Sequence, residues 1–409
     1  MSRGAPWIAL AVTVSVLCAA DNLPAAQRVV LLVDLPKGLP AGLRVPMPAR
    51  VDGAAVPGAV LVARHEAFGP GNVVVQCESD GRSAWLLAAV EDGKAGARRI
   101  RLTGEVMSGN RKKAGVRFVA GPGGMECLDG DQKVMFYQRT AHSLDNGTHV
   151  AANYFHPLYG LDGQVLTQDF PKDHPHHHGI FWAWHQLLVG KIRAGDPWVN
   201  KDFLPVVRDA SVVEQGPVFA TLSTRVEWTS RHIIDRKGRP RPIVEETGRF
   251  RVFHSVGDAR HIDFHIRLAA LLDEVQIGGS EDVKGYSGFT VRVKPPRKMA
   301  IQDRRGLLKQ DAVGSKSPWA DISGCFGDDE SVSGLSILCD QRLPEFPPKW
   351  LLRHYGMQNV AYPGRHAVPL NRGRPLVLKH RLVVHEGDRA AARASDQQAV
   401  FQLFSSRGR

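Results

Sequence analysis

Strict alternation of apolar and polar residues is the feature of this chain that most constrains its fold. Across His261–Leu268 every second residue is apolar, and the intervening residues are histidine, aspartate or arginine. Side chains of a β-strand alternate between two faces, so one face of this segment packs in a core and the other meets water or a cleft. The same period recurs in Val218–Trp228, Ile243–Phe253 and Leu376–His385. The chain is therefore predicted to be all-β.

The spacing of the strands predicts two β domains. Short apolar runs separated by glycine and proline occupy the first part of the chain: Val29–Val33, Asn72–Gln76, Ala84–Val90 and Arg98–Leu102. They predict a small N-terminal β-sandwich over residues 21–116, with a polar, glycine-bearing linker at 107–116. Longer strands in residues 117–390 predict a large β-sandwich or supersandwich. Only the tail, residues 391–409, has a helical pattern, from Ala391 to Phe404.

Residues 1–20 have the pattern of a secretory signal peptide. Arg3 supplies the positive charge, Trp7–Leu17 is apolar, and Cys18–Ala20 offers small residues for cleavage. No later stretch has the 18 or more consecutive apolar residues of a membrane-spanning helix. The mature chain is therefore predicted to start at Asp21, to lack a membrane span, and to be periplasmic or secreted.

The net charge and its distribution limit the kinds of molecule that the chain is predicted to bind. The formal net charge is +12, which could suit an acidic polysaccharide or reflect solubility alone. The basic residues are spread along the chain without interleaved aromatic residues, so no nucleic-acid-binding module is predicted.

Four cysteines remain after the signal segment: Cys77, Cys127, Cys325 and Cys339. Export permits disulfides among them, in three possible connectivities, and Cys325 with Cys339 could staple a hairpin.

Histidine is concentrated in one region of the chain. Eight of the 17 histidines lie between His142 and His185, and Asp173–Gly179 holds four of them. Pro157 and Pro175 disfavour helix for the residues before them, which predicts extended or turn segments. In an extended chain His174, His176 and His178 would share one side and His177 the other. Three explanations remain open for this run: a metal site, a metal-free polar site, or a structural loop.

Two further segments hold candidate functional residues. Glu245 and Glu246 offer one carboxylate to each face of a strand, and His261, Asp263 and His265 lie on the next strand. A carboxylate–imidazole pair across strands could transfer protons, although an exposed polar strand face carries similar residues.

The segment Pro347–Gly356 contains Trp350, Arg353 and Tyr355. Such residues could form a carbohydrate subsite by stacking and by forked hydrogen bonds from arginine. A core tryptophan with a structural arginine is the alternative.

Several of these segments together resemble a known bacterial family. The matching motifs are Tyr154–Gly160 (YFHPLYG), Asp173–Phe181 (DHPHHHGIF), Gly285–Arg292, Trp319–Gly324 and Trp350–Gly356. They are similar to the family described as "methane oxygenase PmoA-like", over about residues 130–390. His178 stands where that family usually has arginine, and Leu351, Leu352 and His354 stand where it more often has His, Val and Asp. The resemblance implies a galactose-mutarotase-like supersandwich directed at sugars.

The leading hypothesis is an exported carbohydrate-active protein that uses general acid/base chemistry of the lyase, hydrolase or epimerase type. His174, His176 and His177 would line its site, with His265 or Glu246 as the catalytic counterpart. The residues predicted to hold the sugar substrate are His156, His178, Trp182, Trp350, Arg353 and Tyr355. Two alternatives are a non-catalytic glycan-binding or surface-scaffold protein, and a metalloenzyme with a divalent metal at His174, His176 and His178.

Overall fold

The computed structural model describes residues 27–90, 96–107, 115–144 and 147–405, and these are almost entirely β-strand. The predicted signal segment lies outside the described residues, as does most of the predicted linker. Within the described ranges, no helix has the length and hydropathy needed to cross a membrane. The prediction of an all-β chain is confirmed.

The N-terminal unit is a closed barrel of six strands in the order β1-β2-β5-β4-β3-β6. Its strands are β1 Arg28–Leu35, β2 Val45–Asp52, β3 Val60–Ala63, β4 Val73–Cys77, β5 Ser83–Ala88 and β6 Arg98–Val106, with a short 3-10 helix at Glu66–Phe68. This unit is more closed than the expected sandwich, because β6 is long enough to pair with both β1 and β3. Alternate residues of β1 point inward, as the strand period requires.

The rest of the chain forms a large sandwich followed by a helical tail. Its strands are β7 Val116–Gly121, β8 Gly124–Asp129, β9 Gln132–Gln138, β10 Tyr154–Leu158, β11 Ile180–Trp184, β12 Gln186–Val189, β13 Ile192–Gly195, β14 Phe203–Glu214, β15 Phe219–Ser230, β16 Val244–Phe253, β17 Ala259–Ala270, β18 Val275–Gly278, β19 Ser287–Arg292, β20 Arg297–Asp303, β21 Gly306–Leu307, β22 Ala312–Lys316, β23 Trp319–Cys325, β24 Ser333–Cys339, β25 Lys349–Leu352, β26 Met357–Ala361, β27 Val368–Pro369 and β28 Leu376–Glu386. Helices α1 Arg389–Ala392 and α2 Ala394–Ser405 follow the last strand.

Two nine-stranded sheets pack face to face around one apolar core. The first large sheet has the order β22-β25-β26-β19-β11-β10-β9-β8-β7, and the second has the order β14-β15-β16-β17-β28-β24-β23-β20-β21. A smaller sheet, β13-β12-β18-β27, continues from β11. The alternation that predicted β17 holds: Ile262, Phe264 and Ile266 lie in the core and their neighbours face outward.

The barrel is attached to the second large sheet through side chains and through α2. The buried Gln76 side chain accepts hydrogen bonds from the amides of Val218 and Phe219, at 3.0 and 3.1 Å, and donates to the carbonyl of Phe219. On α2, Phe404 packs into the barrel core, whereas Phe401 packs on the second large sheet. The helix therefore bridges the two units and helps to enclose a cleft between them.

None of the disulfides that the sequence allows is formed. Cys77, Cys127, Cys325 and Cys339 are all buried free thiols. The hairpin proposed for a Cys325–Cys339 staple does exist, as β23 and β24. Its antiparallel register pairs Trp319 with Leu338, which leaves the two cysteines at opposite ends of the hairpin. At about 3.3 Å per residue the separation is roughly 20 Å, far beyond the reach of a disulfide.

Candidate functional site

The candidate site lies on the outer face of the first large sheet, the face that points away from the sandwich core. On β11, Trp182 and Trp184 point into the core, whereas Phe181 and Ala183 point outward and pack with Trp198 in a separate apolar cluster. A second layer of aromatic and histidine side chains covers this face. We name this layer the histidine–aromatic cluster and define it as His174, His176, His177, His185, Trp198, Tyr286, Arg353 and Tyr355.

Two consecutive turns stack the rings at the centre of the cluster. The amide of His174 donates to the carbonyl of Pro171, and the amide of His177 donates to that of His174. Pro175 occupies the second position of the second turn, where its fixed φ is favourable. Residues three apart therefore share a side, and the His174 and His177 rings lie parallel, 4.7 Å apart. Tyr355 stacks on the other side of His174 at 4.8 Å, which completes a column of three rings.

Arg292, at the end of β19, holds this column from beneath. Its buried guanidinium donates to both carboxylate oxygens of Asp173, at 2.9 and 3.0 Å, and lies 5.1 Å from the Tyr355 ring centre. Asp173 also binds His174 Nδ1 at 2.9 Å. Burial works to raise the pKa of Asp173, but the hydrogen bonds from His174 and Arg292 outweigh it, and the net pKa is lowered. The carboxylate thus stays ionised and orients the His174 ring.

His176 and His177 are kept neutral by their surroundings. Burial, followed by the neighbouring imidazoles of His174 and His185, lowers the pKa of His176 to about 4. Burial and the neighbouring imidazoles also hold the pKa of His177 far below its usual value. His177 is buried, but His176 is only half-buried and stands edge-on to it with ring centres 4.7 Å apart. At neutral pH His176 therefore offers solvent an uncharged imidazole, which can accept a proton or a hydrogen bond.

His185 and Asp196 form an oriented imidazole–carboxylate pair at the edge of the cluster. His185 Nδ1 lies 2.9 Å from Asp196 Oδ2. The other oxygen, Oδ1, accepts hydrogen bonds from the amides of Trp198 and Val199, which fix the carboxylate. The Trp198 ring stacks on His185 at 5.3 Å. Because an ionised carboxylate only accepts, the neutral His185 ring carries its proton on Nδ1 and leaves Nε2 as an acceptor.

Arg353 and Tyr286 complete the cluster. Arg353 Nη2 donates to the Tyr286 hydroxyl at 3.2 Å, and its Nη1 lies 3.4 Å from Asp311. The Tyr286 ring lies 5.7 Å from that of Trp198, which links this pair to His185. A mostly buried guanidinium, two tyrosine hydroxyls and flat ring faces can bind hydroxyl-rich or carboxylate-bearing ligands.

The structure thus brings together five residues that the sequence predicted for the site: His174, His176, His177, Arg353 and Tyr355. His178 and His156 lie beneath the cluster instead. His178 is 5% exposed, and its Nδ1 contacts Asp169 at 2.9 Å. His156 Nδ1 contacts Thr167 at 3.0 Å, and burial lowers the pKa of both histidines. The predicted common side for His174, His176 and His178 is wrong, because the segment turns instead of extending.

Three other predicted site residues lie in the sandwich core. Trp350 is fully buried and donates to the carbonyl of Ser317, and Trp182 stacks on Phe250. Glu246 is 0% exposed and accepts hydrogen bonds from Asn153 and Trp228, and burial raises its pKa. These side chains stabilise the core, and the predicted substrate-binding and catalytic roles do not fit their positions.

His265 is not part of this cluster either. It lies on β17 of the second large sheet and points outward, into the cleft beside the barrel. The sandwich core separates that face from the histidine–aromatic cluster. The prediction that His265 acts together with the histidine run is therefore wrong.

The geometry also bears on the metal alternative. Among the described residues, no three or more His, Cys, Asp or Glu side chains converge as a ligand group. The lone pairs of an imidazole lie in its ring plane, so the parallel rings of His174 and His177 cannot aim at one ion between them. His178 is turned away toward Asp169. The predicted ligand set His174, His176 and His178 does not meet at one point.

Sequence reasoning missed Arg292, Asp196, Trp198 and the role of His185. Asp196-Pro197-Trp198 was a readable signal, because aspartate before a proline favours a turn in which its side chain caps the following amides. Nothing in the strand pattern placed that turn beside His185, since the contact depends on how the small sheet folds back.

Lowering the pH from about 7 to about 5 is expected to destabilise the fold. Burial lowers the pKa of His261 to about 4, whereas an unfolded histidine titrates near 6.5. Between these two pKa values the unfolded chain binds more protons than the folded chain. The free energy of unfolding is therefore highest above about pH 6.5 and decreases as the pH is lowered. At about pH 5 the loss is about 2 kcal/mol for each such histidine. Urea midpoints measured across this range should fall, and His261→Gln should flatten the slope. Midpoints that do not change with pH would contradict this account.

Residues 125–399 match the model of a family described as "Family of unknown function (DUF6807)". No curated protein matches the sequence. Among solved structures, the crystal structure of an alpha-mannosidase from Enterococcus faecalis V583 aligns with a TM-score of 0.42 and 9% identity. The alignment covers 91% of this chain and 45% of that chain. This protein thus spans less than half the length of that enzyme.

Proposed function

The chain belongs to DUF6807, a family of unknown function, and we propose that its histidine–aromatic cluster acts on oligosaccharides or modified sugars by general acid/base chemistry. The observation that carries the proposal is the His185–Asp196 pair in the same cluster as a half-buried, neutral His176. All of these residues lie within the part of the chain that matches the family. Export of the protein and its likeness to the PmoA-like family are part of the same proposal, supported by the sequence patterns alone.

The orientation of His185 supports a role as general base. Its Nε2 takes a proton from a sugar hydroxyl or an activated C–H, and the resulting imidazolium is stabilised by Asp196 through Nδ1–H. His176 stands edge-on to His177, His177 contacts Trp198, and Trp198 stacks on His185, so both histidines belong to one surface on which a single sugar can lie. Lyase, hydrolase and epimerase reactions all include such a proton transfer.

The other members of the cluster supply binding. Tyr355 and Tyr286 offer ring faces on which the apolar face of a sugar can stack. Arg353 adds a fixed positive charge for a carboxylate or a developing oxyanion. A non-catalytic glycan-binding protein would use the same surfaces, and it differs by having no turnover.

A screen of neutral, oxidised and uronic oligosaccharides with wild type and His176→Ala tests the proposal. We expect product with wild type and at least about tenfold less with the variant, because the variant loses a polar contact at the reacting centre. Equal product from both proteins would show that the site is elsewhere. Binding that His176→Ala weakens, without turnover by either protein, would favour the glycan-binding alternative.

A further inference from the structure

A cavity lies between the barrel and the outer face of the second large sheet. It encloses about 700 Å³ and is closed on one side by Phe401 and Phe404 of α2. The barrel contributes Asp34, Arg50 and Trp85 to its wall. Small-molecule sites are typically about 300–1,000 Å³ and often lie at domain interfaces, so this cleft has the size and the place of a ligand site.

A row of basic side chains crosses the sheet at the floor of this cleft. The strand register pairs Arg249 of β16 with His265 of β17, and His265 with Lys379 of β28. All three line the cavity. Directly opposed residues on adjacent antiparallel strands have Cβ atoms about 5 Å apart, so three basic groups stand side by side on one face.

The acids of the cleft are already engaged by arginines. The pairs are Glu78–Arg251 at 2.8 Å, Asp263–Arg381 at 2.6 Å and Asp340–Arg342 at 2.7 Å. Arg249 is likewise held by Glu78 and Glu214, at 3.3 and 3.0 Å. These pairs give the cleft a rigid wall but leave little acidic charge to neutralise the remaining basic groups.

Lys379 and His265 are the groups left over. In the part of the chain that the structure describes, neither side chain forms a hydrogen bond or an ion pair, and both are half-buried. Burial and then Arg342 lower the pKa of Lys379, and the carboxylates of Asp340 and Asp263 offset only part of this effect. Burial, Lys379 and Arg249 lower the pKa of His265 to about 4. Repulsion between Lys379 and the neighbouring arginines, together with the partial burial of Lys379, costs free energy. An anion beside Lys379 would recover it, with His265 as a second hydrogen-bond donor.

We infer that this cleft is a second ligand site, which binds an organic anion through Lys379 and His265. A carboxylate, sulfate or phosphate group would lie against these two side chains, with Arg249 beside them. The cavity leaves room for an organic body that extends toward Trp85 and Phe404. The site is independent of the proposed function, because it lies on the opposite face of the sandwich from the histidine–aromatic cluster.

Calorimetric titration with ligands that share one sugar ring and differ in their anionic group tests the inference. The probes are glucuronate, glucose 6-sulfate and glucose 6-phosphate. Glucose is the neutral control, and inorganic phosphate is the anion without a sugar ring. We expect at least one anionic sugar to bind tenfold or more tightly than glucose. Lys379→Met and His265→Gln should each weaken that binding about tenfold, since each removes a group that contacts the anion.

Arg267→Gln is the matched control, because Arg267 lies two residues from His265 on the same face of β17 but does not line the cleft. It should change affinity less than about twofold. Neither Lys379 nor His265 makes a hydrogen bond that folding would lose, and Lys379→Met also removes repulsion, so the ligand-free melting temperatures of the variants should equal or exceed that of wild type. The bound anionic sugar should raise the melting temperature of wild type more than that of Lys379→Met.

Four results would overturn the inference. They are tight binding of glucose, equal weakening by Lys379→Met and Arg267→Gln, inorganic phosphate binding as tightly as the sugars, and binding that is lost in His176→Ala but kept in Lys379→Met. The last result would show that the anion binds at the histidine–aromatic cluster and not in the cleft. Failure of the cluster to act on any sugar would leave the cleft inference intact.

Discussion

Replacing Glu246 by alanine is expected to lower the free energy of unfolding by about 3–5 kcal/mol, because two buried donors lose their acceptor and a cavity forms. Asn153 Nδ2 donates to one carboxylate oxygen at 2.8 Å, and Trp228 Nε1 donates to the other at 2.9 Å. Asn153 in turn accepts from the Tyr137 hydroxyl, so the substitution opens a buried chain of hydrogen bonds. Chemical denaturation followed by tryptophan fluorescence measures the loss.

Glu245→Ala is the matched control for this substitution. Glu245 precedes Glu246 on β16 and is only partly buried, so its removal should change stability by less than about 0.5 kcal/mol. The pair of variants separates a structural from a catalytic role. A Glu246→Ala protein that keeps wild-type stability and loses turnover would support the catalytic role that the sequence suggested for Glu246.

Replacing Asp196 by asparagine is expected to reduce turnover by at least about 100-fold with little change in stability. Asparagine keeps an oxygen for the amides of Trp198 and Val199, so the loop stays in place. Its NH₂ group, however, faces His185 Nδ1 and donates where Asp196 accepts. The imidazole then carries its proton on Nε2 and can no longer accept one from the substrate.

Initial rates and melting temperatures of Asp196→Asn and wild type, measured together, check this prediction. A variant whose melting temperature falls along with its rate would show that Asp196 acts only by holding the loop. A rate within about threefold of wild type would remove His185 from the proton transfer.

The strand pattern predicted most of the fold. β15, β16, β17 and β28 lie where the alternation placed them, because a period of two is imposed by the backbone itself. The same pattern also held information about Glu246, which shares its strand face with Val244, Phe250 and Val252. A carboxylate in register with three core residues is buried, and this was readable from the sequence.

Sheet membership and turn geometry were harder to predict. His265 was correctly placed on the outward face of its strand, but no local pattern says that β17 and the histidine run belong to different sheets. The prolines allow extended or turn segments for the histidine run, and the predicted common side of His174, His176 and His178 holds only for an extended chain. The structure has turns there, which bring His174 and His177 together. Asp196 and Trp198 reach the cluster through a long-range contact that is encoded only in the whole fold.

The central claim is that the histidine–aromatic cluster is the working site, and the ratio of kcat/KM between variants tests it most directly. The comparison uses His176→Ala, Asp196→Asn and His254→Gln on any oligosaccharide that wild type converts. His254 pairs with Asp129 at the end of β16, away from the cluster, and serves as a matched histidine–aspartate control. We predict losses of about tenfold or more for His176→Ala, 100-fold or more for Asp196→Asn, and less than about twofold for His254→Gln. Equal losses in all three variants, or no loss in the first two, would contradict the account.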